Sequence, residues 1–143
     1  MMSNDTIKRI VLASRPDGSP TPDNFRLEEL PMPVPGPGEI LVRTIWLSLD
    51  PYMRGRMDAG PSYAAPVEIG ATMEGGCVGQ VIESNNPDFA VGEFVDHRFG
   101  WCTHGVSDGK GLRKLDPEVA PLSANLGVLG MPGMTAYAGL NIH

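Results

Sequence analysis

Residues 39–57 read EILVRTIWLSLDPYMRGRM, and this stretch changes character at its middle. From Glu39 to Leu49 it is rich in β-branched and large apolar residues, which makes it the best strand in the chain. Asp50-Pro51 ends that run, because proline fixes φ and removes a backbone donor. Tyr52 follows at once, with Met53, Arg54, Arg56 and Met57 crowded behind it. The arrangement puts a phenol on a proline-fixed turn at the end of a strand.

Outward from this strand, turn chemistry organises the rest. The 18 glycines and 14 prolines exclude long helices over most of the chain. Upstream, IKRIVLA (residues 7–13) predicts a first strand, RPDGSPTPDN a loop, and FRLEEL (residues 25–30) the partner strand. PMPVPGPGE (residues 31–39) carries four prolines, so it is extended and reads as a surface connector. Downstream, CVGQVIE and FVDHRF flank SNNPDFAVGE and predict an antiparallel hairpin. Short strands separated by Gly and Pro argue a small β-barrel or sandwich. The final stretch, PLSANLGVLGMPGMTAYAGLNIH, lacks charge and has the spacing of two short helices broken at residues 130–133, with Pro132 placed to open the second.

Composition bounds the function. At 143 residues, 41% hydrophobic and 20% charged, the chain has the make-up of one soluble domain. A net charge of -6 leaves no basic face for a phosphate backbone or an anionic bilayer, so neither nucleic acid nor membrane is an expected partner. The apolar run near the N-terminus is too short for a signal or a membrane span, which makes a cytoplasmic location the expectation. There Cys77 and Cys102 stay reduced, and the Asn4-Asp5-Thr6 sequon is a chance match.

Several chemistries find no pattern. There is no GxGxxG, and GVSDGKG (residues 105–111) has the wrong spacing for a phosphate loop and reads as a simple loop. The histidines and cysteines never reach CxxC or HxxxH spacing. His97 and His104 flank FGWCTH, where they read as strand or loop residues with solvated or hydrogen-bonded rings.

The segments PGPGEILVR, SLDPYMRGRM, MEGGCVGQVIESNNPDFAVGEFV, WCTHGVSDGKGLRKLD and GVLGMPGMTAYAGL carry a resemblance that their order and spacing make specific. The sequence is similar to the N-terminal, GroES-like domain of the medium-chain dehydrogenase/reductase superfamily. Within it the chain resembles the zinc-free, NADP-dependent branch of leukotriene B4 12-hydroxydehydrogenase, prostaglandin reductases and alkenal double-bond reductases. The resemblance implies a mostly β fold with short helices, a GroES-like, partly open β-barrel. Residues 1–125 would form the substrate-side domain, and residues 126–143 would begin the helical connection to an NADP-binding Rossmann domain that the sequence does not contain. Zinc-dependent members carry a cysteine and a Gly-His-Glu where this chain has Ser48-Leu49-Asp50 and Thr72-Met73-Glu74-Gly75. That leaves Glu74 as the only ligand at the matched positions, and one carboxylate does not hold a catalytic zinc. No metal is expected.

The same resemblance implies an activity and a role for each candidate site residue. The parent protein would be an NADP(H)-dependent oxidoreductase that reduces the carbon-carbon double bond of a small-molecule enal or enone, and this chain alone would be inactive. Tyr52 would be catalytic, its neutral hydroxyl donating to the carbonyl oxygen as enolate charge develops. Met53, Met57 and Gly76 would line the substrate pocket with it, and Gly76 would leave that pocket roomier than in plant relatives with an aromatic residue there. Pro51, Gly133, Met134 and Thr135 would lie against the nicotinamide. Residue logic alone keeps other readings open. Tyr52 could be a packing residue with a wet hydroxyl, Met53 and Met57 core, and Met131, Met134 and Leu140 a helix-packing set. Arg54 and Arg56 read first as ion-pair partners of Glu74 or neighbouring carboxylates. Apolar surface between Leu126 and Leu140 suggests a homodimer. Two alternatives stand beside the reductase: a non-catalytic GroES-like binding or assembly module, and a quinone reductase of the same superfamily.

Overall fold

The computed structural model describes residues 6–142, so Asn4, Asp5 and His143 lie outside the described residues. β1 (Thr6–Leu12) and β2 (Phe25–Pro31) pair antiparallel along their whole length, with Thr6 opposite Pro31 and Leu12 opposite Phe25. β3 (Ile40–Leu47), β4 (Cys77–Ser84), β5 (Phe94–His97), β6 (His104–Ser107) and β7 (Arg113–Leu115) form a second sheet in the order β6-β3-β4-β5-β7. Every pairing in it is antiparallel. Single bridges from Arg9 to Cys102 and from Val11 to Thr72 tie the small sheet to the segments around the large one. The result is the mostly β, open-sided architecture that the sequence implies.

Two apolar clusters hold it together. On the five-stranded sheet, Ile40, Val42, Val81 and Val95 are fully buried. Where β1 meets the segment after β3, Leu12, Met53, Met57, Val67 and Met73 form the second cluster, flanked by Phe25 stacked on Trp101 at 5.5 Å. Each such side chain contributes about 1.5–3 kcal/mol on burial. The β4–β5 hairpin forms as expected, with Cys77 opposite His97. Its corner also grips the proline-rich connector, since Asn85 Nδ2 donates to the Pro35 carbonyl at 2.8 Å and Asn86 Nδ2 to that of Gly38 at 3.0 Å. Pro35 is buried, so the connector is partly internal and does not simply run over the surface.

Three local features differ from the sequence reading. The turn after β3 is a helix, α1 (Tyr52–Arg56), because Pro51 already sits at φ -58 and ψ -31 and the Asp50 carbonyl accepts from Met53 N–H at 3.1 Å. At the C-terminal end, the first of the two expected helices is only a 3-10 turn, Leu122–Leu126, and the second, α2 (Met131–Asn141), begins early enough to include Gly133. Finally, GVSDGKG is not wholly a loop, since its first three residues belong to β6. Among the described residues no helix is long and apolar enough to cross a membrane.

Candidate active site

A cavity of about 620 Å³ lies between the ends of β3, β4 and β5, the start of α1 and the start of α2. Backbone register builds its floor. Leu47 is opposite Cys77 and Cys77 opposite His97, and one residue further Ser48 N–H donates to the Gly76 carbonyl at 2.9 Å. Tyr52, half-buried at the first position of α1, lines this cavity. Burial, and then the carboxylates of Glu74 and Asp50, push its phenol above the usual value of 10, while the Arg98 and Arg56 guanidinium groups pull weakly the other way. At neutral pH Tyr52 is therefore a neutral hydrogen-bond donor.

The other residues singled out in the sequence divide into three groups. Gly76 lines the cavity beside Tyr52, and a Cβ there would meet only Leu126 Cδ2, at 3.6 Å. Met53 and Met57 do not line it. They are 3% and 4% exposed in the core cluster with Leu12, Val67 and Met73, against whose flank Tyr52 itself packs. Pro51, Met134 and Thr135 are exposed, while Met131 and Pro132, not those two, close the far wall of the cavity. At Gly133 the space of the missing Cβ is filled by the Val128 carbonyl, so the glycine is needed for α2 to pack on its own preceding turn. Within this chain Met131, Met134 and Leu140 do not form a packed set, since they are 48%, 68% and 75% exposed.

Sequence reasoning passed over several of the cavity's polar residues. Cys77 is fully buried and its Sγ faces the Gly100 carbonyl at 3.4 Å. Burial pushes its thiol up to about 12, which removes it as a nucleophile. Both cysteines are free thiols, as the sequence predicts. His97 is buried, packs against Phe99 with the ring centroids 4.3 Å apart and the planes tilted by 31°, and accepts from Phe99 N–H through Nδ1 at 3.3 Å. The proton of the neutral ring therefore sits on Nε2, 3.5 Å from Thr44 Oγ1. Desolvation drives the ring's pKa down to about 4. Arg98 follows it into the cavity wall. His97 is legible only as a residue flanking FGWCTH together with His104, and Arg98 is not singled out, with nothing in the spacing to aim either inward.

At the positions matched to metal ligands, Met73 is fully buried in the core. The Glu74 carboxylate is held by Arg56, through Nε and through Nη2 at 3.2 Å. Arg54 pairs with Asp58 at 2.7 Å. Among the described residues no group of three or more His, Cys, Asp or Glu is placed to hold a metal ion.

Comparison with known proteins adds to this geometry. A family described as the N-terminal domain of oxidoreductase matches residues 8–115. The chain is 55% identical over 133 residues to the NADPH-dependent curcumin reductase of Escherichia coli (strain K12), covering 93% of this chain and 39% of that enzyme. With prostaglandin reductase 1 of Rattus norvegicus it shares 43% identity over 127 residues, which is 87% of this chain and 36% of the relative. Among solved structures, CurA from Vibrio vulnificus in complex with NADPH is similar with a TM-score of 0.87 at 51% identity, over 93% of this chain and 40% of that one. The chain thus spans well under half the length of these relatives.

Proposed function

The chain belongs to the family of N-terminal oxidoreductase domains, in the zinc-independent branch of the medium-chain dehydrogenase/reductase superfamily, and from that premise we propose that it is the substrate-side domain of an NADPH-dependent reductase of activated carbon-carbon double bonds. The observation that carries this reading is Tyr52, a phenol kept protonated on the wall of a cavity large enough for a medium-chain enal or enone. NADPH, when bound, would supply a hydride to the β-carbon of such a substrate. The negative charge that then develops on the carbonyl oxygen needs a donor that is already in place and need not be charged itself. Tyr52 meets that need, because its backbone is fixed on one side by Pro51 and on the other by the buried Met53.

The chain's own residues also fit a cofactor partly. Pro51, Met134 and Thr135 are exposed, and each lies within three residues in sequence of one that lines the cavity, Tyr52 or Pro132, so they could meet a nicotinamide ring held by the longer protein. No strand followed by a glycine-rich turn and helix occurs among the described residues, so the pyrophosphate would be held elsewhere. The test uses the longer protein that carries this domain. NADPH oxidation is followed with a medium-chain enal, an enone and a quinone, each with and without a metal chelator. Turnover of the enal and enone that is indifferent to chelator is expected. Faster turnover of the quinone, or none with the enone, would overturn the reading.

A further inference from the structure

A carboxylate beside an oxyanion-stabilising phenol is a liability, and this cavity holds one, Asp50, that is engaged in no ion pair among the described residues. Resting on the reductase reading, we propose that Arg98 is the positioning charge that offsets Asp50 at Tyr52 and makes the phenol a stronger donor to the developing enolate oxygen. The charges around Tyr52 can be paired off one by one. Glu74 is engaged by Arg56 at 3.2 Å. Of the other ionic side chains lining the cavity, Asp96 is paired with Arg113 at 2.8 Å, and Lys110 with Asp108 at 2.8 Å. Asp50 and Arg98 remain, and among the described residues neither makes a side-chain ion pair or hydrogen bond. The cavity's remaining titratable groups, Cys77 and His97, are uncharged at neutral pH.

The fold fixes the backbone at Arg98, whose side chain is exposed. His97, immediately before it, is 4% exposed and bonded through Nδ1 to the backbone N–H of Phe99, immediately after it. Continuing the β4–β5 register by one residue sets Arg98 beside Gly76, which has no side chain to separate it from the cavity floor. The guanidinium is charged at every relevant pH, and Arg98 lines the same cavity as Tyr52. Its charge favours negative charge on the Tyr52 oxygen, in the opposite sense to Asp50. The same field would favour negative charge on a substrate oxygen that accepts from that hydroxyl.

The experiment compares wild type, Arg98→Gln and Arg98→Lys in the longer protein, with two readouts. In enone turnover, Arg98→Gln should lower kcat about tenfold with little change in KM, as expected of one charge acting through a partly solvated cavity. Its alkaline limb should move to higher pH, and Arg98→Lys should restore most of the rate. Independently of turnover, the Tyr52 phenol is titrated by NMR in protein carrying ring-labelled tyrosine, with Tyr52→Phe identifying the signal. Its pKa should rise in Arg98→Gln and return towards wild type in Arg98→Lys. An unchanged Tyr52 titration in Arg98→Gln overturns the proposal whatever the rate does, since a rate loss alone would then be structural. A shifted titration in a protein that turns over no enone upholds the charge coupling and removes the enone-reductase reading instead.

Discussion

The two helices of this chain make opposite use of their apolar residues. α1 is five residues long, yet it is anchored by Met53 at 3% exposure, with Met57 at 4% just beyond its end. α2 is eleven residues long and buries none of them, leaving Met134, Tyr137 and Leu140 between 66% and 75% exposed. A short helix is thus held rigidly by the core beneath it, while a longer one stands on its 3-10 turn with its apolar side chains uncovered. The difference explains how the candidate site is put together. Tyr52 inherits its placement from two buried methionines, whereas the residues of α2 are fixed by backbone contacts at Gly133 and by little else within this chain.

The largest effect should come from removing that anchor. Met53→Ala should cost about 2–5 kcal/mol, because a cavity opens between α1 and Met73. Chemical denaturation would measure it, and a loss below about 1 kcal/mol would mean that α1 is not held as described. Acid provides the next test, on the strand that frames the cavity. His97 is neutral when folded down to about pH 4, against an ordinary value of 6.5. Between these values the unfolded chain binds a proton that the folded one refuses, so stability should be full above pH 6.5 and fall by up to about 3 kcal/mol as pH drops towards 4. Urea midpoints across this range should show the slope, and His97→Gln should flatten it; an equal slope in both proteins would place the ring in solvent.

Smaller effects are expected where the structure leaves room. Gly76→Ala adds a methyl that meets Leu126 at ordinary contact distance, so the thermal midpoint should hardly move while larger substrates bind less well to the longer protein. A strong destabilisation would show that the cavity floor is tighter than it looks. Met134→Ala should change the stability of this chain by less than about 0.5 kcal/mol, since its side chain packs on nothing here. A larger loss would erase the contrast between the two helices.

The range of the forces involved decides how much of this is legible in the sequence. β1 through β5 are readable because their apolar residues recur at strand spacing between Gly and Pro turns, and the β4–β5 hairpin carries its own turn chemistry. β6 and β7 are not, because strands of four and three residues at the sheet edges are held by backbone pairing and need no apolar pattern. α1 escapes for a related reason: five residues are less than two turns, so no periodicity can announce them. Tyr52 and Gly76 are identified through the motifs around them, and the structure brings both to one cavity. Met53 and Met57 share the motif but are 3% and 4% exposed in the core, while Tyr52 packs on the edge of that cluster and reaches the cavity. Arg98 and His97 cannot be aimed inward without the register that sets His97 opposite Cys77.

The account rests on a neutral phenol placed by the fold to receive charge that appears only during reaction. Tyr52→Phe in the longer protein, assayed for NADPH-dependent reduction of a medium-chain enone, tests that most directly. Removing the hydroxyl while keeping the ring should leave the melting temperature and KM nearly unchanged and lower kcat about tenfold to a hundredfold. Turnover equal to wild type would contradict the account, because the oxygen that gains charge would then be served by something other than Tyr52.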